Sequence, residues 1–109
     1  MLYVVGNFAT GGKIAAKAVN VYTKSSLKFG RDVHNLYRVK EADGVMKIKE
    51  CTKISKIRPD FVDFDSKTIY ELKPNNPRGI RSGLKQLAKY KAAYESRYGH
   101  VWKTVLDLY

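Results

Sequence analysis

The chain has 109 residues, enough for one domain but not for two, since chains divide at about 100 to 200 residues per domain. Hydrophobic residues make up 44% of it, which supports an ordinary core and argues against disorder. Its 21 Lys and Arg against 10 Asp and Glu leave a formal net charge of +11, a self-repulsion that a polyanion relieves. Nucleic acid is therefore the leading partner, ahead of an acidic protein or an anionic membrane.

The single cysteine, Cys51, excludes an intramolecular disulfide and a cysteine zinc cluster. It is expected to be a small buried residue. The apolar run Leu2 to Val5 is too short for a signal-peptide core, and no run of about 18 apolar residues occurs. The sequence therefore predicts a soluble chain without its own export signal and without membrane insertion by this domain.

Lys13 to about Lys40 has helical spacing, with Ile14, Ala15, Ala18, Val19 and Tyr22 three and four apart after Gly11-Gly12. Gly30 is expected to divide this stretch, leaving a second helix from about Arg31 to Glu41 with Val33, Leu36 and Tyr37 inward. Val45 to Glu50 alternates apolar and charged residues, and Ile54 to Arg58 does so more loosely, so at least one strand is expected there. Arg58 to Phe64 and Thr68 to Lys73 are β-branched and aromatic around the polar Asp65-Ser66-Lys67, which predicts a hairpin. Pro74 ends its second strand. Asn76 then serves as an N-cap and Pro77 as the first residue of a helix to about Arg97. Gly99 breaks that helix before a last strand from Val101 to Leu108.

Pro59-Asp60 followed by Glu71-Leu72-Lys73 is the constellation that carries chemistry. Side chains two apart on a strand share a face, so Glu71 and Lys73 point together. With Ser66 and Lys67 as the two turn residues, Asp65 pairs with Thr68, and Asp60 falls opposite Lys73, diagonal to Glu71. An exposed ion-pair ladder is the plain alternative. The apolar strands around the motif favour a central sheet instead, where unpaired acids are costly. A divalent metal neutralises such a pair. Hard oxygen ligands suit Mg²⁺ or Mn²⁺, with Zn²⁺ as a further option, and a metal so held activates water and stabilises charge on phosphate.

The motif, with its αβββαβ element order from about Arg31 onward, resembles the PD-(D/E)XK nuclease superfamily. The resemblance implies a restriction-endonuclease-like α/β fold, a central mixed sheet flanked by helices, to which this chain adds an N-terminal helix. It also implies that Asp60 and Glu71 hold the metal, with the Leu72 carbonyl assisting, while Lys73 orients the attacking water or stabilises the charged transition state. Gln86 and Tyr90 match a Gln and Tyr four apart on the following helix in many members. Asp32 is the candidate for the acidic ligand, more often Glu, that many members carry on the first helix. A solvated helix-start acid reads Asp32 as well. His34 is a candidate to contact phosphate or to act near the metal, with a structural histidine as the alternative, and His100 is expected to be a turn residue.

Arg58 to Phe64 through Thr68 to Pro77, with Trp102 to Asp107, is similar more narrowly to the restriction-endonuclease-fold toxin domains at the C-termini of bacterial polymorphic toxins. These are the tips of contact-dependent inhibition, Rhs and type VI secretion effectors. Such a domain is carried by a larger secreted or surface-bound toxin and acts in the cytoplasm of the target cell. The resemblance also implies a cognate immunity protein, expected to be acidic. Residues 1–28 are then an extension or a linker to the parent toxin, and 29–109 the nuclease domain.

Arg78, Arg81, Lys85 and Lys89 form one stripe on the helix after Pro77, opposite Ile80, Leu84, Leu87 and Tyr94. No acid occurs between Pro74 and Ala93 to pair with them. The stripe is expected to bind phosphate backbone, aided by donors at the helix N-terminus, with a solvated cationic face as the alternative. Gly79 and Gly83 predict close packing, and Tyr70 is placed in the core. The expected function is a metal-dependent nuclease toxin, with DNA favoured and transfer RNA the alternative substrate. A non-catalytic nucleic-acid-binding module and an acidic-protein adaptor are the rivals.

Overall fold

The computed structural model describes residues 8–9, 22–24 and 26–109. The elements are β1 (Phe8–Ala9), α1 (Leu27–Leu36), β2 (Lys47–Lys49), β3 (Phe61–Asp63), β4 (Thr68–Lys73), α2 (Pro77–Tyr98) and β5 (Lys103–Leu108). They form a mixed sheet in the order β1-β5-β4-β3-β2. β2, β3 and β4 pair antiparallel, while β5 lies parallel to β4. This is the expected αβββαβ core. The two-residue β1 adds antiparallel to β5 and was not anticipated. The helix expected from Lys13 lies outside the described residues.

One helix covers each face of the sheet. Val33 and the following Tyr37 pack with Phe61, Leu72 and Tyr109 on the α1 side. Leu87, Tyr90 and Tyr94 pack with Val62, Ile69, Leu106 and Leu108 on the α2 side. Successive β4 side chains thus serve opposite cores, as the pleat requires. Cys51 is buried in the α2-side core, as expected.

The helix after Pro77 has the expected signals. The Asn76 side chain accepts a hydrogen bond from the Gly79 N–H at 2.7 Å, Pro77 stands at the first position, and Gly99 ends the helix at φ 72°. Gly83 lets this helix lie against the sheet, because a Cβ there would fall 2.5 Å from Leu106 Cδ1 and 2.9 Å from Lys73 Cγ. Leu84, in contrast, is 39% exposed and does not face the sheet.

α1 differs from the expected Arg31–Glu41 helix. It starts at Leu27, where the Ser26 hydroxyl caps the Phe29 N–H, and stops at Leu36. Gly30 lies inside it rather than interrupting it. The Lys49 ammonium donates to the carbonyls of His34 and Asn35 and so closes the C-terminal end. Leu36 is 62% exposed, while Val33 and Tyr37 are buried. Ile54 to Arg58 forms no strand.

The hairpin register also departs from expectation. Asp63 pairs with Thr68, and Phe61 with Tyr70, so the connection runs from Phe64 to Lys67. The Asp63 carboxylate accepts the Asp65 and Ser66 N–H groups and fixes this wider turn. Phe64 leaves the strand for an aromatic cluster with Tyr94, Tyr98 and Trp102. The register consequently brings Asp60 against Glu71 rather than Lys73.

Candidate active site

Asp60 precedes β3 at the end of the sheet, where the strands open between α1 and α2. Its carbonyl accepts the Glu50 N–H at 2.9 Å, and its carboxylate accepts the Leu72 N–H at 2.8 Å. Glu71, on β4, returns a contact by accepting the Asp60 N–H at 3.2 Å. Each acid is therefore positioned by the other's strand. Lys73, two residues beyond Glu71, lies 3.7 Å from its carboxylate.

The pair cannot ionise like two solvated acids. Burial pushes the Glu71 carboxyl up to about 8, and the neighbouring Asp60 charge adds to this, with Lys73 opposing. Burial also opposes ionisation of Asp60, but the His34 contact and the Leu72 N–H outweigh it and hold Asp60 below the usual carboxylate range. The two acids are thus pushed apart, Glu71 toward its protonated form and Asp60 toward its carboxylate.

His34 reaches the site from α1. Its Nδ1 lies 2.8 Å from the Gly30 carbonyl, which can only accept, so Nδ1 carries a hydrogen. Nε2 faces Asp60 at 3.4 Å. The contact with Asp60 raises the His34 pKa against the opposing effect of burial, and its aromatic neighbour is Tyr109. On the α2 side, Gln86 and Tyr90 line the same space. The Gln86 Oε1 is buried and has no hydrogen-bond partner among the described residues. The Tyr90 hydroxyl is pushed up to about 12 by burial and by Glu71 and Asp60.

These groups line an open cleft of about 940 Å³. Of the basic stripe, only Arg78 lines it; Arg81, Lys85 and Lys89 are exposed farther along α2. Asp32 does not join the site. Its carboxylate pairs with the Lys28 ammonium at 2.8 Å on the exposed side of α1, because a position two residues before His34 points about 200° around the helix from it. His100 is an exposed turn residue.

Arg31, Arg58 and Glu50 also line the cleft. Sequence reasoning passed over them, although Arg58 directly precedes the Pro59-Asp60 motif. Arg31 stands three residues before His34, a spacing that places both on one helical face. Glu50 had no comparable signal, since it depends on where β2 ends.

The oxygen donors converging here are the Asp60 and Glu71 carboxylates and the orphaned Gln86 amide. They suit a hard divalent cation that keeps most of its coordination for water and phosphate oxygen. Among the described residues, no group of three His, Cys, Asp or Glu side chains could by itself hold a metal ion. Any cation here would need ligands from outside such a group.

Residues 22–109 match the family model of restriction endonuclease fold toxin 9. The chain belongs to this family. No curated protein and no solved structure matches it. Membership makes this a toxin domain of restriction-endonuclease-like fold and points to a nuclease acting on nucleic acid. Among the described residues, no helix is long and apolar enough to cross a membrane.

Proposed function

We propose that this toxin domain is a metal-dependent endonuclease that hydrolyses phosphodiester bonds, with DNA as the favoured substrate. The observation that carries the reading is the facing of Asp60 and Glu71 at the mouth of one cleft, with Glu71 raised to about 8 and Lys73 beside it. A buried acid pair of this kind is expensive in an inert protein and useful where a cation and a phosphate are to be received.

Asp60 and Glu71 would hold the metal, Mg²⁺ or Mn²⁺ before Zn²⁺, with the Leu72 carbonyl assisting. When bound, the cation supplies a lowered pKa for water and stabilises charge on the phosphate. The Asp60 carboxylate is preorganised for this by the Leu72 N–H and His34, and Glu71 would hold the cation as its carboxylate. Lys73 places an ammonium where it can orient the attacking water or meet developing negative charge. Gln86 offers its unused amide oxygen to the same water. His34, Arg78 and Tyr90 are placed to contact the nucleic acid inside the cleft, with Arg81, Lys85 and Lys89 extending a cationic track beyond it.

As a toxin nuclease, the domain would act in the cytoplasm of a target cell, delivered by a larger secreted or surface-bound protein. Its immunity protein would be acidic and cover the same cationic cleft.

The test is incubation of the chain with supercoiled plasmid and, separately, total transfer RNA, each with Mg²⁺, Mn²⁺, Zn²⁺ or EDTA. Metal-dependent cutting of plasmid is expected. Glu71→Ala and Lys73→Ala should each lower it by on the order of a hundredfold or more. Cutting of transfer RNA alone would transfer the assignment to a ribonuclease. Binding of both substrates without turnover in any metal would overturn the catalytic reading.

A further inference from the structure

The cationic side chains around the acids differ in kind from those elsewhere on the chain. Lysines outnumber arginines 15 to 6 in the sequence. At the cleft the proportion reverses, because Arg31, Arg58 and Arg78 line it with Lys73. They come from three separate elements: α1, the connection between β2 and β3, and the first turn of α2.

The remaining arginines are placed differently. Arg38 donates to the Asn35 and Tyr37 carbonyls after α1, Arg97 lies over the Tyr98 ring, and Arg81 is exposed outside the cleft. The three at the cleft are exposed and form no ion pair among the described residues. Arg58 lines the cleft directly before Pro59-Asp60, which holds its backbone beside the acids. Arg31 borders the α1 side.

An unpaired arginine on a solvated surface has no reason to be preferred over lysine. Its planar fork has a reason to be preferred where phosphate is gripped by two donors at once. We propose that Arg31, Arg58 and Arg78 form a phosphate-binding rim that carries one nucleic-acid strand across the cleft, from α1 over the acids to α2. Productive binding is then set by Arg31 and Arg58 together with Arg78, more than by the outer part of the α2 stripe. This inference rests on the nuclease reading for its substrate class, but its test does not require cutting.

The probe is a short fluorescein-labelled single-stranded DNA, titrated with the full chain in EDTA over a range of salt concentrations and followed by anisotropy. Arg31→Ala and Arg58→Ala should each weaken binding about tenfold at low salt and reduce the slope of log K against log salt by about 0.7. Lys103→Ala removes the same charge from the exposed first position of β5 and controls for net charge. Arg→Lys at positions 31 and 58 keeps the charge and should recover only part of the affinity if the fork matters.

Arginine variants that match Lys103→Ala in affinity and slope would overturn the rim. Full recovery by lysine would overturn the two-donor grip. Metal-dependent cutting that survives in both arginine variants, with unchanged kcat/KM, would reject the rim and leave the nuclease reading intact. Rim-dependent binding without cutting in any metal would do the reverse.

Discussion

Replacing Glu71 by Gln tests whether the buried acid pair is held at an energetic cost that a cation relieves. The substitution keeps the shape of the protonated side chain and its acceptor for the Asp60 N–H. A carboxyl raised from 4.5 in the unfolded chain to about 8 in the fold contributes stability that is fully present below about pH 4.5. That contribution is lost as pH rises toward 8. At about 1.4 kcal/mol for each pH interval of one, ionising Glu71 in the metal-free fold costs on the order of 5 kcal/mol. Coupling to Asp60 shares some of this cost between the two acids.

Urea unfolding in EDTA should therefore show wild type and Glu71→Gln nearly equal at about pH 5, with the variant more stable by on the order of 2–4 kcal/mol at about pH 9. Adding Mn²⁺ or Mg²⁺ should close most of this gap. A cation at a hundred times its dissociation constant stabilises the protein that binds it by about 2.7 kcal/mol, and the variant loses most of that gain. A variant less stable than wild type at pH 9 in EDTA would refute the argument that Glu71 is strained by its surroundings. Equal stabilisation of both proteins by the metal would refute its role as a ligand.

Three further outcomes are expected. Gly83→Ala should destabilise by about 1–3 kcal/mol in the same unfolding assay, since the new methyl meets Leu106 and the Lys73 stem; it should also lower cutting by displacing Lys73. Tyr37→Phe removes the donor to the buried Asp107 carboxylate, whose other oxygen has no partner among the described residues, and should cost about 1–3 kcal/mol in thermal or urea unfolding. Burial raises the Asp107 carboxyl above its ordinary value, so the stability tied to its protonated form falls as pH rises past that value. Asp107→Asn should flatten that part of the pH profile, measured by unfolding across the same range.

The sequence by itself determined what local chemistry controls. Asn76, Pro77 and Gly99 delimit α2 through a cap, a preset φ and a left-handed stop. The β-branched and aromatic runs identify β3 and β4, and the Asp60, Glu71 and Lys73 triad is legible from residue type and spacing. Gln86 and Tyr90 follow from one helical turn.

Tertiary structure decided what depends on remote partners. The hairpin register turned on Asp63 capping its own turn while Phe64 joined an aromatic cluster from α2, so Asp60 came to face Glu71. α1 ended early because Lys49, from a different strand, satisfied its last carbonyls. Asp32 and His34 both belong to that helix, but only the direction from which α1 packs on the sheet sends His34 toward Asp60 and Asp32 into solvent. The gathering of Arg31, Arg58 and Arg78 at one cleft is likewise invisible to spacing along the chain, because it requires three elements to meet at the end of the sheet.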